Sequence, residues 1–247
     1  MRLAPIVALA PFLGSKLPQG VKIALAMSLA AVFLPHIVLT STKPAVFDIS
    51  LLGYIFKELF IGVLLGFMVS IPFYFSQAAG VLIDFMRGSS SLGVTDPTTQ
   101  AQITPIGLLY NYVLIVLFFQ IDGPFFFFDG VLQSYTAIPV DKFFQASFFT
   151  LDAPFWQAVS KLLTQFTVIS IQLAAPSIVA ILMAEMFLGI ANRLAPQVQI
   201  AFLGMSLKSL LGIALLWAGW FFIMQQMAKL SLQWLGGFMQ LLNTIKT

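Results

Sequence analysis

The feature that most constrains this chain is a series of apolar runs too long for a soluble core. Val21 to Leu39 carries one charge, Lys22 at its start, and Ile49 to Phe85 carries three, Lys57, Glu58 and Asp84. Runs of about 20 apolar residues are the length that crosses a bilayer as helix. Only 9% of the 247 residues are charged, where soluble domains carry roughly 25%. Too little polar surface remains to face water, so lipid is the first solvent and the expected class is an all-α membrane protein.

The runs come in order along the chain. Leu3 to Leu13 opens it. Arg2 and the small residues Ala8 to Ala10 imitate a cleaved signal sequence, but Pro5 and Pro11 interrupt a regular hydrophobic helix, so a truncated first helix is the better reading. Ile49 to Phe85 exceeds the bilayer core and must tilt, kink or leave it, with Pro72 the place to kink. Gly62 and Gly66 form a GxxxG pair that permits close helix approach, a weak signal alone. Ile106 to Phe119 is apolar again. Asp122 to Asp152 reads as an acidic loop, with four Asp against Lys142. Phe155 to Ala191 reads as one long helix broken or bent at Pro176. A turn follows around Pro196, then a return helix from Ile200 to Met224. In the tail, Gln225 to Thr247, Leu230, Trp234, Phe238, Leu241, Leu242 and Ile245 recur at helical spacing. The expected organisation is one compact unit, with 1–154 as an N-terminal helical part and 155–247 as a helical hairpin plus amphipathic tail.

Charge asymmetry sets an expected orientation. The acidic loop lies outside, which puts Lys16, Lys22, Arg87 and Arg193 on the cytoplasmic side; Lys43, Lys142, Lys229 and Lys246 fit this less well. The absence of cysteine excludes disulfides and thiolate chemistry. His36 stands alone, so a His-ligated metal is not expected. A net charge of +3 gives no reason to expect nucleic acid. No P-loop, HExxH, GxSxG or DDxxD pattern occurs; neither an enzyme nor a cofactor is expected.

Ionisable residues inside apolar helices mark function or subunit contact. Glu185 lies 11 residues before Pro196 and Lys208 lies 12 after it. In a helical hairpin they come to the same depth and either pair or snorkel separately to the surface. Lys57 and Glu58 are adjacent and point about 100° apart on a helix, so their partners are expected on other helices or other chains. Asp84 and Arg87 are spaced to pair locally. Between two apolar runs lies a polar stretch, Arg87 to Ile103, with Gly88 and Gly93, Ser89, Ser90, Ser91, Leu92, Val94, Asp96 and Pro97. From the residues alone, its default reading is a surface loop.

Three segments together carry a resemblance: "RLAPIVALAPFLGSKLPQGVKIALAMSLAAVFLP", "DFMRGSSSLGVTDP" and "ANRLAPQVQIAFLGMSLKSLLGI". The chain resembles the FliR/SctT family of export-apparatus proteins of type III secretion, and "DFMRGSSS" is closer to the injectisome branch than to the flagellar one. The turn residues Asn192, Pro196 and Gln197, and Asp96–Pro97, are its most specific parts. Family members carry more chain ahead of the position matching Arg2.

The resemblance implies one subunit of a helical export gate in the bacterial inner membrane, multi-pass and within the secretion-system base. It implies several copies of two smaller membrane subunits as partners, an autoprotease switch subunit, a large export-gate subunit, and unfolded secreted proteins as cargo. It also implies that the segment near 87–103 plugs the closed pore. Glycines that permit unusual backbone angles suit that role, as do Ser and Thr that satisfy their own backbone, and Leu92 and Val94 as a dry constriction. Lys57, Glu58, Glu185, Arg193 and Lys208 are candidates for subunit contact or buried charge. The rival reading is a secondary transporter with helices broken at Pro72 and Pro176; it needs internal repeats, and none is found. An intramembrane enzyme is the other rival.

Overall fold

The computed structural model describes residues 1–14, 17–40, 50–88, 104–141, 154–194 and 200–245, and among them every regular element is helical. The α-helices are α1 (Leu3–Leu9), α2 (Gln19–Thr40), α3 (Ser50–Met86), α4 (Pro105–Gln120), α5 (Gly123–Ala137), α6 (Pro154–Leu194), α7 (Ile200–Ala218) and α8 (Trp220–Ile245). Three are long and apolar enough to cross a membrane, and up to five spans result if each of two bent helix pairs counts as one. The chain is therefore an all-α membrane protein.

Several expectations change in detail. The first apolar stretch is not one helix. α1 stops at Leu9, a 3-10 turn spans Pro11–Leu13, and Gly14 closes it at φ 85, a left-handed conformation that glycine takes without a Cβ clash. Neither proline ends its helix: α3 runs through Pro72 and α6 through Pro176, as elements of 37 and 41 residues. At 1.5 Å per residue these are about 55 and 60 Å long, roughly twice the hydrocarbon thickness.

The acidic "loop" after Asp122 begins with a helix instead. Asp122 turns the chain in the left-handed region (φ 56), and α5 then starts with Pro in its first turn, where a missing N–H costs nothing. Phe127, Val131, Ser134 and Tyr135 form its buried stripe. Asp129 lies on the other side, accepting from Gln133 at 2.9 Å. Of the acids that suggested a loop, Asp122 marks a turn and Asp129 a solvated face. The return helix likewise ends early: α7 stops at Ala218, and α8 starts after Gly219, while the Gly219 N to Leu215 O and Ile223 N to Gly219 O bonds (2.8 and 3.0 Å) carry the ladder through the bend.

The chain forms two compact units: Met1–Pro72, Phe118–Thr164 and Ser231–Thr247 make the first; Phe73–Leu117 and Gln165–Leu230 make the second. Each draws on both sides of residue 154.

In the first unit α1 lies on the GxxxG pair of α3. A Cβ on Gly62 would overlap the Arg2 carbonyl oxygen, and one on Gly66 would sit 3.2 Å from Ile6 Cα. Ser70 Oγ, 2.6 Å from Gly66 O and 2.9 Å from Leu9 O, ties the end of α1 to the same face. The Phe12 ring meets Phe118 at 4.9 Å and Phe127 edge-on at 5.6 Å, an arrangement aromatic quadrupoles favour. α2 touches this core through Phe33, its one buried residue, against Phe128 at 6.1 Å. Much of the rest of α2 is apolar and exposed, as at Ile23, Met27, Val32 and Leu39.

In the second unit α3 and α4 cross at a pair of glycines. A Cβ on Gly80 would meet Gly107 N and Cα at 2.6 Å. Phe73, Phe75, Ala79 and Ile83 of α3 are buried, as are Tyr110 and Leu114 of α4, and Ser76 Oγ donates to Tyr110 O at 3.2 Å. α6 and α7 leave wide apolar faces uncovered, including Met186, Phe187, Leu210 and Trp217.

Candidate functional site: charges buried among apolar helices

A chain with so few charges places several of them where water does not reach. Two clusters result, one in each unit.

In the first unit the centre is Arg2, fully buried. Its Nε and Nη2 each donate to a carboxylate oxygen of Glu58 at 2.8 Å, the bidentate geometry that a planar guanidinium matches best. Nη1 donates to Ser134 Oγ at 2.9 Å, and Nη2 also reaches Ile138 O at 2.9 Å. The guanidinium carbon lies 4.1 Å from the centre of the Tyr135 ring, a cation–π distance. Lys57 Nζ donates to Pro139 O at 2.7 Å and Val140 O at 2.9 Å, and stands 3.2 Å from Glu58 Oε1. Both cations thus meet carbonyls just beyond the C-terminus of α5, where the helix dipole favours positive charge.

Lys57 and Glu58 therefore find partners within this chain, on α1 and at the end of α5. They also meet each other, although neighbours on a helix diverge. The Lys57 stem is long enough to bring its ammonium round to the side where Arg2 holds the carboxylate. Sequence reasoning passed over Arg2, treating it as a signal-like flank. The available signal was an always-ionised residue directly ahead of an apolar segment, which needs an acid wherever that segment is buried.

In the second unit Asp84 is 1% exposed. Its Oδ1 accepts from Arg87 Nε at 2.9 Å, the expected local pair. Its Oδ2 accepts from the backbone N–H of Ile106 at 2.8 Å and lies 3.4 Å from that of Gly107. A carboxylate thus satisfies donors in the first turn of α4, as an N-cap would, but from another helix. Arg87 Nη1 is 3.4 Å from Ser209 Oγ, and the Arg87 stem passes α7 at Gly212, whose added Cβ would sit 3.6 Å from Arg87 Cδ. Sequence spacing shows the Asp84–Arg87 pair but not the cap or the α7 contact, since both are long-range.

Of the two readings of Glu185 and Lys208, the structure has the pair: Lys208 Nζ donates to Glu185 Oε1 at 2.6 Å across α6 and α7. The Glu185 side chain is 53% exposed and that of Lys208 is 20% exposed. Asn192 and Arg193 lie exposed in the last turn of α6, where a cation suits the dipole; Pro196 and Gln197 lie outside the described residues. In the polar stretch Gly88 is described, at φ 84, which a residue with a Cβ rarely adopts. Ser89, Ser90, Ser91, Leu92, Gly93, Val94, Asp96 and Pro97 lie outside the described residues. Among the described residues no three His, Cys, Asp or Glu side chains gather as a metal site.

Charges neutralised inside long apolar helices can hold a fixed scaffold in lipid. The "Yop proteins translocation protein T" of Yersinia pestis is 32% identical over 160 residues, 65% of this chain and 60% of that protein. The "Surface presentation of antigens protein SpaR" of Shigella sonnei is 32% identical over 161 residues, 64% of this chain and 59% of that protein. The "Flagellar biosynthetic protein FliR" of Bacillus subtilis is 29% identical over 153 residues, 62% of this chain and 58% of that protein. The chain thus spans about three fifths of the length of these curated relatives. Residues 1–234 match the family described as bacterial export proteins, family 1, and with nearly the whole chain covered, the protein belongs to that family, the one that holds the FliR and SctT proteins.

Proposed function

We propose that this chain is a structural export-gate subunit of a type III secretion system, helping unfolded proteins pass the bacterial inner membrane, and that it is not an enzyme. The observation that carries the reading is the family match over residues 1–234, joined by relatives named for translocation and for flagellar biosynthesis. The geometry supports it. The charges of α3 are neutralised within the chain, while α2, α6 and α7 keep broad apolar faces uncovered. That is the pattern of a rigid part awaiting neighbours or lipid. By family resemblance the neighbours are several copies of two smaller membrane subunits, the autoprotease switch subunit and the large export-gate subunit.

The segment near 87–103 is the proposed pore plug, with Leu92 and Val94 its constriction. Support comes from its two ends: Asp84, four residues before Gly88, also holds Ile106 and Gly107 at the start of α4, so one carboxylate anchors both sides of the segment.

The test is native mass spectrometry of the tagged chain, co-expressed with its neighbouring genes and extracted in mild detergent. The expected result is a large complex with one copy of this chain and several of two small subunits. A lone monomer or a symmetric homodimer, with binding of a small solute, would replace the gate by a transporter.

A further inference from the structure

Pro72 stands inside α3 and has no backbone N–H. The carbonyl four residues earlier, that of Met68, therefore loses its helical donor. Met68 is 4% exposed, and a buried carbonyl needs a partner. The partner comes from the other end of the chain: Trp234 Nε1 of α8 donates to Met68 O at 3.0 Å, in a buried bond. Trp234 is 5% exposed, and Met227, Leu230 and Ser231 are buried beside it in sequence, at helical spacing.

We infer that the Met68 carbonyl, released by Pro72, is the docking site that seats the C-terminal part of the amphipathic helix α8, from Ser231 onward, in the first unit. An indole suits it. Trp brings a large apolar body and a single N–H that donates but cannot accept, so it fills an apolar seat and satisfies one acceptor without adding another polar atom. Phe and Leu would fill the seat and leave the carbonyl unpaired. An amphipathic helix at a chain end ordinarily reads as lying on a membrane surface. Here the bond from Trp234 makes the part of α8 after Leu230 an internal piece of the first unit, and Pro72 serves as the residue that creates an acceptor rather than one that breaks a helix.

The experiment is a double-mutant cycle on the full chain in mild detergent, read by the thermal unfolding midpoint and by hydrogen exchange in α8. Trp234→Phe should lower the midpoint by several degrees and speed exchange in α8 roughly tenfold, the size expected for one buried unpaired carbonyl, with α6 unchanged. In a Pro72→Ala background, where residue 72 regains an N–H for Met68 O, the same change should have less than half that effect. Replacing Trp234 with benzothienylalanine, which keeps the shape and removes only the N–H, should reproduce the loss in the Pro72 protein. Equal losses in both backgrounds, or an unchanged midpoint with benzothienylalanine, would overturn the inference. If Pro72→Ala yields no folded chain, the benzothienylalanine comparison alone decides it.

Discussion

Replacing Glu58 with Gln is the sharpest test of how this scaffold is held. The carboxylate faces two cations, Arg2 at 2.8 Å through two bonds and Lys57 at 3.2 Å. Gln keeps the volume and one acceptor but removes the charge. Arg2 stays fully buried, with Ser134, Ile138 O and the Tyr135 ring as its remaining partners. Breaking a buried ion pair from one side costs about 3–5 kcal/mol, because the surviving charge is left uncompensated. For a chain of this size each kcal/mol moves the unfolding midpoint by about 2–4 °C, so the expected drop is roughly 6–20 °C. The assay is thermal unfolding in mild detergent, followed by fluorescence-detected size exclusion. A companion variant, Arg2→Met with Glu58→Met, removes both partners and leaves Lys57 on its two carbonyls; it should regain at least half of the loss. The reasoning is refuted if Glu58→Gln unfolds within about 2 °C of the parent, or if the double variant loses as much as Glu58→Gln or more, since either result means that the uncompensated Arg2 charge is not the source of the loss.

Other predictions follow from close contacts and from the proposed gate. Gly62→Val forces the Arg2 carbonyl off α3 and should cost at least ~2 kcal/mol by overpacking, seen as a lower midpoint and faster exchange in α1. Asp84→Asn keeps one acceptor where two oxygens now serve Arg87 and Ile106; a loss of about 2–4 kcal/mol is expected, and a midpoint equal to the parent would remove the anchor argument. Glu185→Lys sets two cations where an ion pair now forms at 2.6 Å and should lower the yield of co-purified complex. Leu92→Gly with Val94→Gly should leave complex yield intact and raise ion conductance of the membrane. Unchanged conductance in an assembled variant would count against the plug.

Much of this was legible in the residues because apolar periodicity is local. The long runs of α2, α3 and α6 and the Asp84–Arg87 pair are each set by neighbours within a few positions. The misreadings have local causes as well. Asp122 and Asp129 made α5 look like a loop because charge was counted along the chain, whereas burial is decided around the helix, where Phe127, Val131 and Tyr135 share one face. A proline removes a backbone bond and can break or bend a helix; α3 and α6 do not break at Pro72 and Pro176 but continue past them. At Pro72 the missing bond is offset by the indole N–H of Trp234, 162 positions away in sequence, which donates to Met68 O.

By itself, the sequence determined the solvent, the helical class and the family, because composition and short motifs survive without knowledge of contacts. Only the tertiary structure decided which charges are partners. Arg2 meets Glu58 across 56 positions, and Ser134 across 132. Such pairings depend on which helices come side by side, and that choice follows from close-approach surfaces such as Gly62–Gly66 and Gly80–Gly107. A glycine in the sequence permits contact with any backbone; the fold selects the one it meets.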